Sequence, residues 1–165
     1  MDVTKIPQFG RLKDVHMSID TFSGTVYASA HAGEKAKDVI NHLIHTFSLL
    51  GVPKVLKMDD APAYASKEFR SFLQQWEVEH ITGIPYSPTG QAIVERTHQS
   101  LKKIIEHQQA VMKVESPHVQ LAQALFTYNF FSCTFENVNP PIVCYFKSNP
   151  QLELKKRPPR PNKRS

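Results

Sequence analysis

From Lys13 to Thr21 the chain alternates, with Val15, Met17 and Ile19 apolar against His16, Ser18 and Asp20 polar, which predicts a half-buried strand. Residues 2–9 read as short and β-like before it, ending at Pro7. After the Ser23-Gly24 turn, Thr25–Ala30 reads as a third, so the opening is an antiparallel meander. The period then changes. Val39, Ile40, Leu43, Ile44, Phe47 and Leu50 fall on one helical stripe within residues 34–50, closed by Gly51-Val52-Pro53. Residues 54–58 (KVLKM) and 79–82 (EHIT) read as short strands. Between them Ser66 reads as an N-cap for a helix with an apolar face of Phe69, Phe72, Leu73 and Trp76. Residues 83–90 (GIPYSPTG) read as a loop, residues 91–114 as a long helix, and Pro117 opens another. Three strands followed by αβ alternation predict a mixed five-stranded sheet flanked by helices.

Composition changes little in that picture. With 41% hydrophobic residues in 165, including ten Phe, the chain has material for a core and is not a disordered chain. No apolar stretch reaches the ~20 residues of a membrane-spanning helix, so no membrane partner is expected. Cys133 and Cys144 are too few for a disulfide framework, which points to a reducing compartment and free thiols. The net charge of +5 is a property of residues 155–165 (KKRPPRPNKRS), which hold six basic residues and no acid. Without those six, 14 basic residues face 15 acidic ones. Residues 151–165 therefore read as a basic, Pro-rich, unpacked tail with general attraction for phosphate or a role in nuclear import. A solvated chain end is the equal alternative.

Candidate chemistry gathers in carboxylates at strand ends and at a helix start. Asp2 lies on the first strand, Asp59 and Asp60 follow KVLKM, and Glu95 lies in the first turns of the long helix. Sites on open α/β sheets gather there. Three converging carboxylates suit Mg²⁺ or Mn²⁺, and a pair of such ions ~3.5–4 Å apart serves in-line phosphoryl displacement. Spacing alone selects this triplet weakly among 15 acids. On the long helix Gln91, Glu95, His98, Gln99 and Lys102 form one stripe that would join a metal ligand, amides and a phosphate-binding lysine. An ordinary solvated face has the same pattern.

The blocks DVTKIPQFGRLK (2–13), SIDTFS (18–23), GVPKVLKMDDAPAY (51–64) and HITGIPYSPTGQAIVERTHQSLK (80–102) resemble the catalytic core of retroviral integrases, in detail those of betaretroviruses and related endogenous retroviruses. Glu95 follows Asp59 with 35 residues between, the family's D-x35-E spacing. The resemblance is strongest over residues 2–130 and gives a core domain over 1–150. It implies an RNase H-like fold, 3′-end processing of viral DNA and strand transfer into target DNA. It further implies two Mg²⁺ or Mn²⁺ ions on a catalytic triad of Asp2, Asp59 and Glu95. Tyr86, Gln91, Gln99, Lys102 and Lys103 match DNA-approaching positions. A homodimer, viral and target DNA as partners, and a nuclear or cytoplasmic place of action follow from the same likeness.

Two departures bear on activity. Met58-Asp59-Asp60 stands where the family usually has Thr-Asp-Asn, adding a carboxylate beside the site. Only Met1 precedes Asp2 here. The family's His/Cys zinc module and basic C-terminal domain have no counterpart in these residues, so a Pol-derived fragment without a zinc site is expected. A catalytically degenerate core that binds DNA or a protein is the alternative to a working transferase. An RNase H-type nuclease fits the Asp–Glu gap and the GIPYSPTGQ loop less well. Elsewhere, His42 and His45 read as a surface or half-buried pair, Asp20 as a structural hydrogen-bond acceptor, and Trp76 as core. Phe126, Tyr128, Phe130, Phe131 and Phe135 read as core packing and a dimer face.

Overall fold

The computed structural model describes residues 1–82, 88–111, 115–133 and 138–148, the side chains of 88–91 and 148 excepted. Strands β1 (Asp2–Lys5), β2 (Asp14–Ile19) and β3 (Val26–His31) form the expected antiparallel meander in the order β1-β2-β3. Asp2 is opposite Met17, and Ser18 opposite Tyr27. The first strand is shorter than the sequence suggests, because Pro7 turns the chain into a 3-10 helix over Pro7–Leu12. Strands β4 (Val55–Met58) and β5 (Glu79–Thr82) pair in parallel, joined through helix α2 (Lys67–Gln75). Among the described residues the five strands thus form two hydrogen-bonded ladders. They adjoin where the Met1 amino group donates to the Lys57 carbonyl over 2.7 Å.

Helices cover both faces. On one side α3 (Pro88–Val111) and α4 (Pro117–Phe131) pack Leu101, Ile105, Leu121, Ala124 and Tyr128 on Val15, Met17, Val26, Ala28 and Ala30. Asn129 fixes that layer: its side chain accepts from Val26 N (2.9 Å) and donates to Val26 O (2.8 Å), as a neighbouring strand would. A second cluster joins α1 (Ala36–Leu50), β4 and α2 through Val39, Leu43, Phe47, Leu56, Met58, Phe69, Phe72 and Leu73. Ser66 caps α2 by accepting from Phe69 N at 3.2 Å. Trp76, half-buried, packs on Phe47 with ring centroids 5.3 Å apart. Asp20 accepts from the Ser23 amide (3.1 Å) and hydroxyl (2.5 Å), which closes the β2–β3 turn.

Three expectations are corrected. Strand β2 is buried on both faces. Its polar alternates His16 and Ser18 do not face water, because α1 lies over them and supplies partners. Ser18 Oγ and His42 Nε2 are 2.9 Å apart, and Ser29 Oγ and His42 Nδ1 2.6 Å. His42 is accordingly fully buried rather than part of a surface pair, while His45 is exposed. Helix α3 also begins earlier than expected, at Pro88, a residue whose fixed φ suits the first turn of a helix. A fifth helix, α5 (Pro141–Ser148), anchors its Tyr145 hydroxyl on Leu50 O at 2.7 Å. Cys133 is a free thiol, and no helix among the described residues is long and apolar enough to cross a membrane. The tail lies outside the described residues.

Candidate active site

Two ladders bring two aspartates to one place. Asp2 opens β1, and the Met1–Lys57 bond sets that start beside the end of β4, which Asp59 directly follows. The Asp59 carboxyl is held above its ordinary pKa, first by partial burial and second by the nearby Asp2 carboxylate. A backbone hydrogen bond and the Met1 ammonium oppose the rise, and Asp60 adds the least to it. Both Asp59 and Asp60 are exposed residues, whereas Met58 packs in the core. The buried Tyr64 hydroxyl lies within reach of the same charge. Burial raises its pKa well above the usual phenol value, and Asp59, Asp2 and Glu34 raise it further.

Helix α3 supplies the third side. His98 Nε2 stands 3.5 Å from Asp2 Oδ2, while Asp2 Oδ1 accepts from Val3 N at 2.8 Å. Burial lowers the His98 pKa. The Asp2 and Glu95 carboxylates work against that lowering, and Lys102 and the Met1 ammonium work with it. Asp2, Glu95 and Lys102 therefore share the field of one imidazole. Glu95 is exposed, one turn before His98 on the same helix face, and Gln99 is exposed beside them. Lys102 is half-buried and lines a small cleft with Lys5, Ile6 and Glu106, while Lys103 is exposed at the edge of the stripe. Tyr86 lies outside the described residues, and of Gln91 only the backbone within α3 is described.

Among the described residues no group of three or more His, Cys, Asp or Glu side chains stands close enough to hold a metal ion as placed. The donor chemistry nonetheless suits a hard divalent cation: two oxygen donors, mutually repelling, with a third carboxylate on the facing helix. His98 is the participant to which the sequence pattern gave no role of its own. Its i+3 spacing from Glu95 was the available signal.

The chain matches the integrase core domain family model over residues 1–88. It is 49% identical over 129 residues to the Gag-Pro-Pol polyprotein of mouse mammary tumor virus, covering 78% of this chain and 7% of that protein. It is 46% identical over 134 residues to the Pol-related polyprotein of the mouse intracisternal A-particle MIA14, covering 80% of this chain and 16% of that protein. The chain thus spans less than a fifth of the curated relatives it matches. Among solved structures, it is similar to a chain of the simian T-cell lymphotropic virus intasome in complex with the PP2A regulatory subunit B56 gamma. There the TM-score is 0.76 at 27% identity, over 99% of this chain and 57% of that one. It is also similar to the HTLV-2 integrase catalytic core domain in complex with magnesium, dimeric form, with a TM-score of 0.69 at 25% identity over 80% and 83% of the two chains. The sequence blocks, the strand-end carboxylates and the helical layers agree with these likenesses: the chain belongs to the integrase core domain family of retroviral and endogenous retroviral Pol polyproteins, and its fold is RNase H-like.

Proposed function

We propose that the chain is the catalytic core of a metal-dependent polynucleotidyl transferase acting on DNA, competent for 3′-end processing and strand transfer. The observation that carries this reading is the pairing of Asp2 and Asp59 at adjoining strand ends, with Asp2 beside the helix that bears Glu95. Asp2, Asp59 and Glu95 would hold two Mg²⁺ or Mn²⁺ ions. When bound, these ions supply charge stabilisation to a displacement at phosphorus and lower the pKa of an attacking water or 3′-hydroxyl. The protein's own part is to present the Asp2 and Asp59 carboxylates at adjoining strand ends, with Glu95 on the helix that meets Asp2. Lys102 and Lys103 add phosphate contacts that position DNA without reading its sequence, and Gln99 reaches base edges or sugars beside them. Tyr86 and Gln91 take the DNA-approaching roles that the family likeness gives them, and the basic residues of 155–165 add phosphate attraction.

Solved relatives named as a dimeric core and as an intasome support assembly with further copies. The face we assign to this is the exposed aromatic group Phe126, Phe130 and Phe131 of α4. The place of action is DNA in the nucleus or cytoplasm. Met58 in the core and Asp60 in solvent support a site left intact by the Met58-Asp59-Asp60 departure.

The deciding experiment is disintegration of a branched DNA by the 165-residue chain in Mg²⁺ and Mn²⁺, with Asp2→Asn and Glu95→Gln beside it. Metal-dependent product from the wild type alone is the expected result. Folded protein that binds the DNA but forms no product in either metal makes this a degenerate core.

A further inference from the structure

We propose that His98 is a positioning residue that orients the Asp2 carboxylate and fixes it to the turn of α3 that carries Glu95. The inference rests on the reading of Asp2 and Glu95 as metal ligands. Its ground is the pattern of contacts at Asp2. Oδ1 accepts from Val3 N, a bond within β1 that leaves the strand free to shift against the helices. Oδ2 has His98 Nε2 at 3.5 Å, and that nitrogen is fully buried with no hydrogen-bond partner of its own. A buried ring N–H without an acceptor is costly, and the Asp2 oxygen is the acceptor it faces. The separation exceeds a good hydrogen bond by a few tenths of an ångström, the loose geometry usual for such pairs before the reacting partners bind.

The two contacts engage both carboxylate oxygens from different elements, so the group can neither spin about its own axis nor follow β1 alone. Each oxygen keeps a further lone pair for a cation. His98 follows Glu95 by three residues on the same helix face, so one turn of α3 carries one ligand and locates another. The ring tautomer with its proton on Nε2 is the donor form that this contact requires. Residues that orient metal ligands in this way are worth about 10–100-fold in metal affinity.

The test uses the full chain with His98→Leu, which removes the donor, and His98→Gln, which returns an N–H at similar reach. Mn²⁺ affinity is read by the loss of the free-ion paramagnetic resonance signal, and folding by thermal unfolding in EDTA. His98→Leu should weaken Mn²⁺ binding about tenfold and His98→Gln should recover most of that loss. A purely structural role would not separate the two variants in this way. Equal Mn²⁺ affinity in wild type and folded His98→Leu overturns the proposal. A second readout needs no metal: the ring ¹⁵N shifts of His98 in wild type and Asp2→Asn. A change at Nε2 upholds the contact even if His98→Leu fails to fold, and identical shifts overturn it. Should the wild type bind no Mn²⁺, the metal-site reading falls, and the ¹⁵N comparison alone decides whether His98 orients Asp2.

Discussion

The hydroxyl of Ser18 on β2 and the imidazole of His42 on α1 lie 2.9 Å apart in a layer closed to water. Ser29 Oγ meets the other ring nitrogen at 2.6 Å, and the His16 and Tyr27 rings pack around it at 5.8 and 5.4 Å between centroids. Burial depresses the His42 pKa well below the usual value, and the neighbouring His16 and His31 push it the same way, as do the Met1 ammonium and His45. His31, which Asp38 partly offsets, is also lowered by burial.

The sign of the pH dependence follows. A histidine whose folded pKa is depressed binds protons more readily in the unfolded chain. Its contribution to stability is complete above the unfolded value near 6.5 and drains away as pH falls below it. Urea unfolding should show stability nearly flat between pH 7 and 8 and falling from pH 6.5 to 5. The slope should reach up to ~1.4 kcal/mol per pH unit for each histidine that takes up a proton only on unfolding. His42→Gln should be less stable at pH 7.5 but show a shallower acid slope. An equal slope would show that His42 does not drive the effect.

Asn129 and Val26 supply a second prediction. Asn129→Ala removes an acceptor and a donor and leaves the Val26 amide and carbonyl without them. The loss should be roughly 2–4 kcal/mol. Denaturant titration measures it, with accelerated amide exchange at Val26 as the local signature.

The aromatic face of α4 gives a third. Phe126 and Phe130 stack at 4.8 Å between centroids and are 54% and 46% exposed. If this face joins copies, Phe126→Glu should convert a dimer into a monomer in sedimentation at micromolar concentration. Monomer stability should change by less than ~0.5 kcal/mol, as for an exposed substitution.

Asp60 supplies a fourth. Its carboxylate adds less to the Asp59 shift than either burial or Asp2 does. Asp60→Asn should therefore leave metal-dependent activity close to wild type, while Asp59→Asn abolishes it. A clear gain of activity in Asp60→Asn would show that the added carboxylate harms the site.

Much of this organisation was legible in periodicity. The stripe of Val39, Leu43 and Phe47, the Ser66 cap and the Asp20 turn all depend on neighbours in sequence, and they stand as expected. What periodicity could not supply was the far partner. Alternation in β2 separated His16 and Ser18 from Val15 and Met17, but only the docking of α1 decided that the polar side would be buried too. The extra helix at Pro141–Ser148 fell in a stretch with no clean period, beyond residues 2–130 where the family likeness is strongest. For the site, spacing offered Asp59 and Glu95 only through the family motif. The Asp2–His98 contact joins β1 to α3, far apart in sequence, and only the i+3 spacing of His98 from Glu95 hinted at it.

The most direct measurement is anomalous diffraction from a crystal of this chain soaked in Mn²⁺. The expected result is a peak within roughly 2.3 Å of carboxylate oxygens of both Asp2 and Asp59, lost in Asp59→Asn. Saturating Mn²⁺ that leaves the Asp2–Asp59 position empty in well-ordered wild-type protein would contradict it.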